Sequence, residues 1–221
     1  MIVSIVNSYV RPLLLAALSL TPILAGCSGE TESKPKTLTA EEKLDGAIAR
    51  CDLNTVKNLV PSAVAVDAEV GTGAHPPGDT PLALALWEAN KFPPANPNAF
   101  EIIKYLIACG ADVNLPNRDG RTPLHFPHNK QVVRLLVDSG ANVDVKATAD
   151  GTTPLYRTDD IGLLQILVPA SKDINSLDSN GMTALDYHMQ WAYAREDIIA
   201  LLRKHGAKTA GERNASERKR P

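Results

Sequence analysis

At 221 residues, with 44% apolar and 22% charged side chains, the chain is long enough for one ordinary folded unit and too apolar to be disordered throughout. A formal charge of −2 lacks the basic excess of nucleic-acid-binding domains, so no nucleic-acid partner is expected. The charge is unevenly spread: Lys208, Arg213, Arg218, Lys219 and Arg220 outnumber Glu212 and Glu217 at the C-terminus, which leaves the body before them acidic.

The first segment reads as a targeting signal. Arg11 precedes an apolar run from Pro12 to Leu24, the length of a signal-peptide core and short of the ~20 residues that span a bilayer as a helix. Residues 1–9 are uncharged, so translation starting at Val10 is an alternative. The run ends in Leu24-Ala25-Gly26-Cys27, which resembles the lipobox of bacterial lipoproteins. The resemblance implies cleavage after residue 26 and three acyl chains on Cys27, of which two already suffice for stable anchoring. Ser28 after the cysteine, where aspartate favours inner-membrane retention in that family, implies the periplasmic face of the outer membrane. Residues 27–39 would then be the lipidated cysteine and a polar, flexible tether, holding the domain on the order of 20 Å from the bilayer.

From residue 40 to 208 the chain repeats itself. Asp79-Thr80-Pro81-Leu82, Gly120-Arg121-Thr122-Pro123-Leu124-His125, Gly151-Thr152-Thr153-Pro154-Leu155 and Gly181-Met182-Thr183-Ala184-Leu185 are versions of one phrase, their threonines 42, 31 and 30 residues apart. A second phrase follows, clearest in Ile103-Lys104-Tyr105-Leu106 running into Gly110-Ala111-Asp112-Val113-Asn114, and in Val133-Arg134-Leu135-Leu136 running into Gly140-Ala141-Asn142-Val143-Asp144. Asp-Gly is turn chemistry, threonine caps a helix, and proline suits the first helical position. The apolar stripe of the second phrase packs, and glycine stops the helix in a left-handed conformation. The stretch Ala47 to Val60 has the two-helix rhythm without the Thr-Pro opening, as a terminal repeat would.

These phrases resemble the ankyrin repeat, a turn plus two antiparallel helices. The resemblance implies an all-α solenoid of about five helix-turn-helix repeats with short β-like finger turns. The prolines between Asn90 and Asn98 predict a loop inserted in the second repeat, Pro127 predicts a curtailed first helix in the third, and Pro169 stands for the glycine stop in the fourth. Residues 209–221 are expected to form a basic, disordered tail.

Motifs of catalysis are missing: no P-loop, no Gly-x-Ser-x-Gly and no His-Glu-x-x-His. Gly71-Thr72-Gly73-Ala74 lacks a third glycine and a following helix, so a finger loop is expected there. His125 and His128 have a weak metal spacing, but the ankyrin resemblance implies local hydrogen bonding for His125; no metal or cofactor is expected. Cys51 at an inter-helix turn and Cys109 at the far end of a second helix are expected to stay thiols, some 15 Å apart in level against the ~7 Å a disulfide allows.

A binding surface is the positive expectation. The resemblance implies partner contact through the positions after each Thr-Pro-Leu phrase: Trp87, Phe126, Arg157, Tyr187 and Trp191, with Arg118 on a finger and Phe92 in the proline-rich insert. Aromatics and arginine dominate interface energetics, and packing between helices is the alternative role for each. Tyr187 and Trp191, four apart, share a helix face. A small, lipid-tethered ankyrin stack resembles the immunity lipoproteins that protect bacteria against secreted effectors such as phospholipases. That resemblance implies a protein partner, a membrane contact through Cys27 alone, and a monomer when unbound. The alternatives are a general periplasmic scaffold, or an enzyme drawing on His75, His128, Asp159 and Asp160.

Overall fold

The computed structural model describes residues 38–60, 65–68, 80–90, 97–126, 129–190 and 195–218. Cys27, the apolar leader, the Gly71–Ala74 stretch, His75, Phe92, His128 and Trp191 lie outside the described residues. The chain divides into two units, 1–36 and 37–221, and the description concerns the second.

Five pairs of segments follow one another, with no strand among the described residues. The first members are α1 (Ala40–Ala49), α3 (Pro81–Ala89), single 3-10 turns at Pro123–His125 and Pro154–Tyr156, and α7 (Ala184–Gln190). The second members are α2 (Leu53–Leu59), α4 (Pro97–Ala108), α5 (Lys130–Asp138), α6 (Ile161–Ala170) and α8 (Glu196–Lys204). First members pack on first members, α1 on α3, the two 3-10 turns on each other, and the second of those turns on α7; second members do the same, α2 on α4, α5 on α6, and α6 on α8.

Local chemistry explains the boundaries. Thr39 and Glu42 make a reciprocal capping box on α1, and Thr80 caps α3 with Pro81 behind it. Asn129 caps α5 and Asp160 caps α6. Thr122 to Asn129 and Thr153 to Asp160 are each seven residues, which leaves room for one turn and a chain reversal. The first helix is therefore curtailed in the fourth repeat as well as in the third. Pro97 is the first residue of α4, so the helix begins inside the stretch read as an insert. Pro169 is no stop either: it lies within α6, and Ser171 ends that helix in an extended conformation where Gly110 and Gly140 end theirs left-handed.

The chain also does not end its fold at Lys208. Residues Ala210–Glu217 form a ninth helix, α9, in place of the expected disordered tail. Thr209 and Glu212 form a capping box, Glu212 pairs with Arg203, and the Asp186 carboxylate accepts the Ala210 N–H at 2.8 Å. Polar contacts hold a helix too polar to be recognised by an apolar stripe.

Apolar burial comes from stacking. Ile102, Ile103 and Leu106 of α4, Leu136 of α5, Leu164 and Leu167 of α6, and Leu82, Leu155 and Leu185 of the first row are almost wholly buried in one continuous core. Each such side chain contributes about 1.5–3 kcal/mol by leaving water.

A polar ladder fixes how each repeat meets the next. The last residue of each second phrase reaches forward across the joint. Asp67 accepts the Asp112 N–H at 3.1 Å, and Asn114 accepts the Asn142 N–H at 2.7 Å while donating to the Gly140 carbonyl. Asp144 accepts the Lys172 N–H and the Ser171 hydroxyl at 2.7 and 2.6 Å, and Asn175 accepts the Lys208 N–H while donating to the Gly206 carbonyl. Asn142, by contrast, only closes its own loop onto the Asp144 N–H. Asp144→Ala should therefore destabilise the stack by about 1–3 kcal/mol. Asn142→Ala should cost less than about 1 kcal/mol, the two being compared by urea unfolding.

Candidate partner-binding face

The fingers are built alike. In the second-to-third repeat finger, Asn117 Oδ1 accepts the N–H groups of Asp119 and Arg121, both at 3.0 Å; in the last, Asp178 Oδ1 accepts those of Asn180 and Met182. Neighbouring fingers touch through backbone, Ala149 N–H to Asp119 carbonyl at 3.2 Å and Ser179 N–H to Asp150 carbonyl at 3.0 Å. Glycine is required where they touch. Gly120 and Gly151 have φ of 73° and 71°, and a Cβ there would stand 2.5 Å from Thr148 N and 2.8 Å from Ser179 N.

Arg121 joins two fingers by its 2.9 Å contact with Asp150. Burial alone would push the Asp150 carboxyl up, but the Thr152 hydroxyl, the Thr152 N–H and the Arg121 guanidinium together hold it at about 2. Arg118 stands exposed on the same finger as Arg121.

Behind the fingers lies a hydrogen-bonded spine. His125, fully buried, accepts the Thr122 N–H on Nδ1 at 3.0 Å and places Nε2 3.1 Å from the Thr152 carbonyl of the next repeat. A carbonyl only accepts, so the proton sits on Nε2, and both ring nitrogens are occupied without a metal. Burial pushes its pKa below the ordinary value. His188 on α7 repeats the device, its Nε2 2.9 Å from the Leu155 carbonyl, and burial lowers its pKa too. Tyr156 is buried, its hydroxyl 2.7 Å from the Ser176 carbonyl and 2.8 Å from that of Met182; burial raises its pKa, with the Asp178 and Asp186 charges adding to the effect.

The residues expected to meet a partner separate into two groups. Trp87, near the end of α3, is 58% exposed, and Phe126, directly after its 3-10 turn, is 36% exposed. Arg157 is exposed at the equivalent place in the fourth repeat. Tyr187 is half-buried on α7, in edge-to-face contact with Tyr156 at 5.9 Å and with His188 at 5.6 Å. Its expected pairing with Trp191 lies outside the described residues, as does Phe92.

Sequence reasoning missed Met189, 45% exposed in the last turn of α7. Its offset of six residues from Thr183, beside seven for Trp87 from Thr80, was the available signal. Trp87 lies near the C-terminal end of α3, Phe126 and Arg157 directly after their 3-10 turns and Met189 in the last turn of α7, so each stands at the C-terminal end of its own first segment.

Among the described residues no group of three or more His, Cys, Asp or Glu side chains could hold a metal. Asp160 is committed to capping α6, and the Asp159 carbonyl accepts from Arg195. Cys51, buried in the α1–α2 turn, and Cys109, exposed after α4, form no disulfide. No helix of the described residues is long and apolar enough to cross a membrane.

A stack of paired helical segments with left-handed glycines at its fingers defines the class, and comparison with known proteins agrees. Residues 89–158 match the family model for ankyrin repeats in three copies. The chain is an all-helical ankyrin-repeat solenoid over its described residues. It is 28% identical over 204 residues, 89% of its length, to neurogenic locus notch homolog protein 1 of Xenopus tropicalis, and 30% identical over 146 residues, 63% of its length, to the Homo sapiens protein of that name. The chain spans about 7% and 5% of the lengths of those relatives.

Two outcomes follow from the fingers. Gly181 has the same left-handed φ with nothing within 4 Å of a Cβ, so Gly181→Ala should cost only the ~1–2 kcal/mol of the left-handed conformation. Gly151→Ala must also displace Ser179, and thermal unfolding should show the larger loss. Asp150, held below its ordinary 3.8, stabilises the fold above that pH, and the stabilisation is lost as pH falls through about 2. Acid unfolding of Asp150→Asn should accordingly show a shallower decline between pH 4 and 2 than that of the parent.

Proposed function

We propose that this chain is a lipid-anchored periplasmic protein that holds a protein partner against the first-segment ends of its ankyrin stack. In this reading it is an immunity protein neutralising a secreted antibacterial effector such as a phospholipase. The observation that carries the binding reading is the exposure of Trp87 and Phe126, each at the C-terminal end of its first segment, on a stack whose other large apolar side chains are mostly buried. Large aromatics left in water are the side chains that anchor interfaces.

The location rests on Leu24-Ala25-Gly26-Cys27, and the immunity role on the pairing of such an anchor with so small a stack. The acidic body would steer a basic effector surface, and a stack gripping the effector would obstruct its active-site mouth or its approach to the bilayer.

Full-length protein should fractionate with outer membrane and Cys27→Ala should release it; unchanged fractionation of that variant contradicts the anchor. Capture from secreted and periplasmic fractions in high salt should retain one hydrolase, whose activity falls when it is bound. Trp87→Ala with Phe126→Ala should weaken that capture tenfold or more while leaving the unfolding midpoint in place, since both side chains are exposed. Recovery of several resident envelope proteins, with no hydrolase, would instead establish the scaffold reading.

A further inference from the structure

Two imidazoles are built into the joints of the second half of the stack, and neither is needed to explain partner contact. His125 ties the third repeat to the fourth, through Thr122 on one side and the Thr152 carbonyl on the other. His188 ties the fifth to the fourth through the Leu155 carbonyl. The first two repeats meet through α1 on α3 and α2 on α4, helices that carry the buried Leu44, Ile48, Leu82, Ile102 and Leu106, and no buried imidazole lies on them among the described residues.

We propose that His125 and His188 make a proton-operated joint: neutral rings lock repeats three to five in register, and protonated rings unlock them while repeats one and two stay stacked.

The geometry dictates the direction. A neutral ring with its proton on Nε2 satisfies both contacts of His125. A second proton has to go on Nδ1, which lies 3.0 Å from both the Thr122 N–H and the Thr122 hydroxyl; it sets a donor against the N–H and leaves the hydroxyl oxygen as its one acceptor there, inside a fully buried site. The charges facing His125 oppose protonation as well: Arg121 from its own finger and Arg157 from the end of the following 3-10 turn, with Asp150 already engaged by Arg121. Around His188 stand Tyr187, edge-on to the ring, and Asp159, whose charge favours the cation but is outweighed by burial.

Both rings bind their proton less readily in the folded chain than at the ordinary 6.5. The stability they confer is complete above that pH and is lost as pH falls through their lowered values. Phe126 follows His125 in the chain and Arg157 faces it, so unlocking also disturbs the face proposed for the partner. That consequence rests on the proposed function; the joint itself does not.

The test is amide hydrogen exchange on the unbound full-length protein at pH 7.5 and 5.0, corrected for intrinsic exchange, beside the His125→Gln, His188→Gln double variant. Acidification should lower protection several-fold at the Thr122, Ala149 and Ser179 amides and leave the Val60 and Leu84 amides unchanged. The variant, which carries a non-titrating side chain at each joint, should lose this difference. Equal loss in both halves, no loss at all, or the same loss in the variant would overturn the proposal. Should the variant not fold, NMR titration of the two imidazoles in the parent decides: pKa values below 6.5 support the joint, and values at or above 6.5 refute it. Since no partner is present, failure here leaves the binding reading to its own test.

Discussion

No single repeat of this chain can bury its own apolar face, and everything else in the structure follows from that constraint. A first segment and a second segment, each carrying leucine, isoleucine or valine along one stripe, leave that stripe open until the next repeat closes it. The apolar stripes by themselves would tolerate sliding. The polar contacts remove that freedom: Asp67, Asn114, Asp144 and Asn175 each reach one repeat forward to backbone groups, while the fingers meet through Asp119 and Asp150 carbonyls on the opposite side. Burial supplies the driving force and the ladder sets the register.

Much of this was legible in the sequence because each requirement has a residue type attached. Asp-Gly marked the fingers, Thr-Pro the helix starts, and Gly-Ala-x-Val-Asx the ends of the second helices, so five repeats and their order could be read directly. What escaped was decided by distance between markers or by partners far along the chain. The shortening of the fourth repeat lay in the seven residues from Thr153 to Asp160, a spacing with no special composition. Helix α9 escaped because its hold is polar and remote, through Asp186, Arg203 and Asn175. Pro169 misled because the glycine's place in the phrase belongs to Ser171, two residues on.

The site was legible to a lesser degree. Position in the repeat named Trp87, Phe126 and Arg157, which are exposed, and the same rule named Tyr187, which is half-buried against Tyr156 and His188. A tyrosine inside a helix and a phenylalanine after a single turn meet different surroundings, and only the lengths of the first segments separate the two cases. A rigid stack presenting such side chains in a row needs little reordering on binding, so the entropy cost of association falls mainly on the partner.

The central claim is that partner contact runs along the ends of the first segments. Hydrogen exchange of the chain with and without its captured partner tests that claim most directly. The account predicts new protection around Trp87, Phe126, Arg157 and Met189. Protection confined to the outer surfaces of α5, α6 and α8 would contradict it.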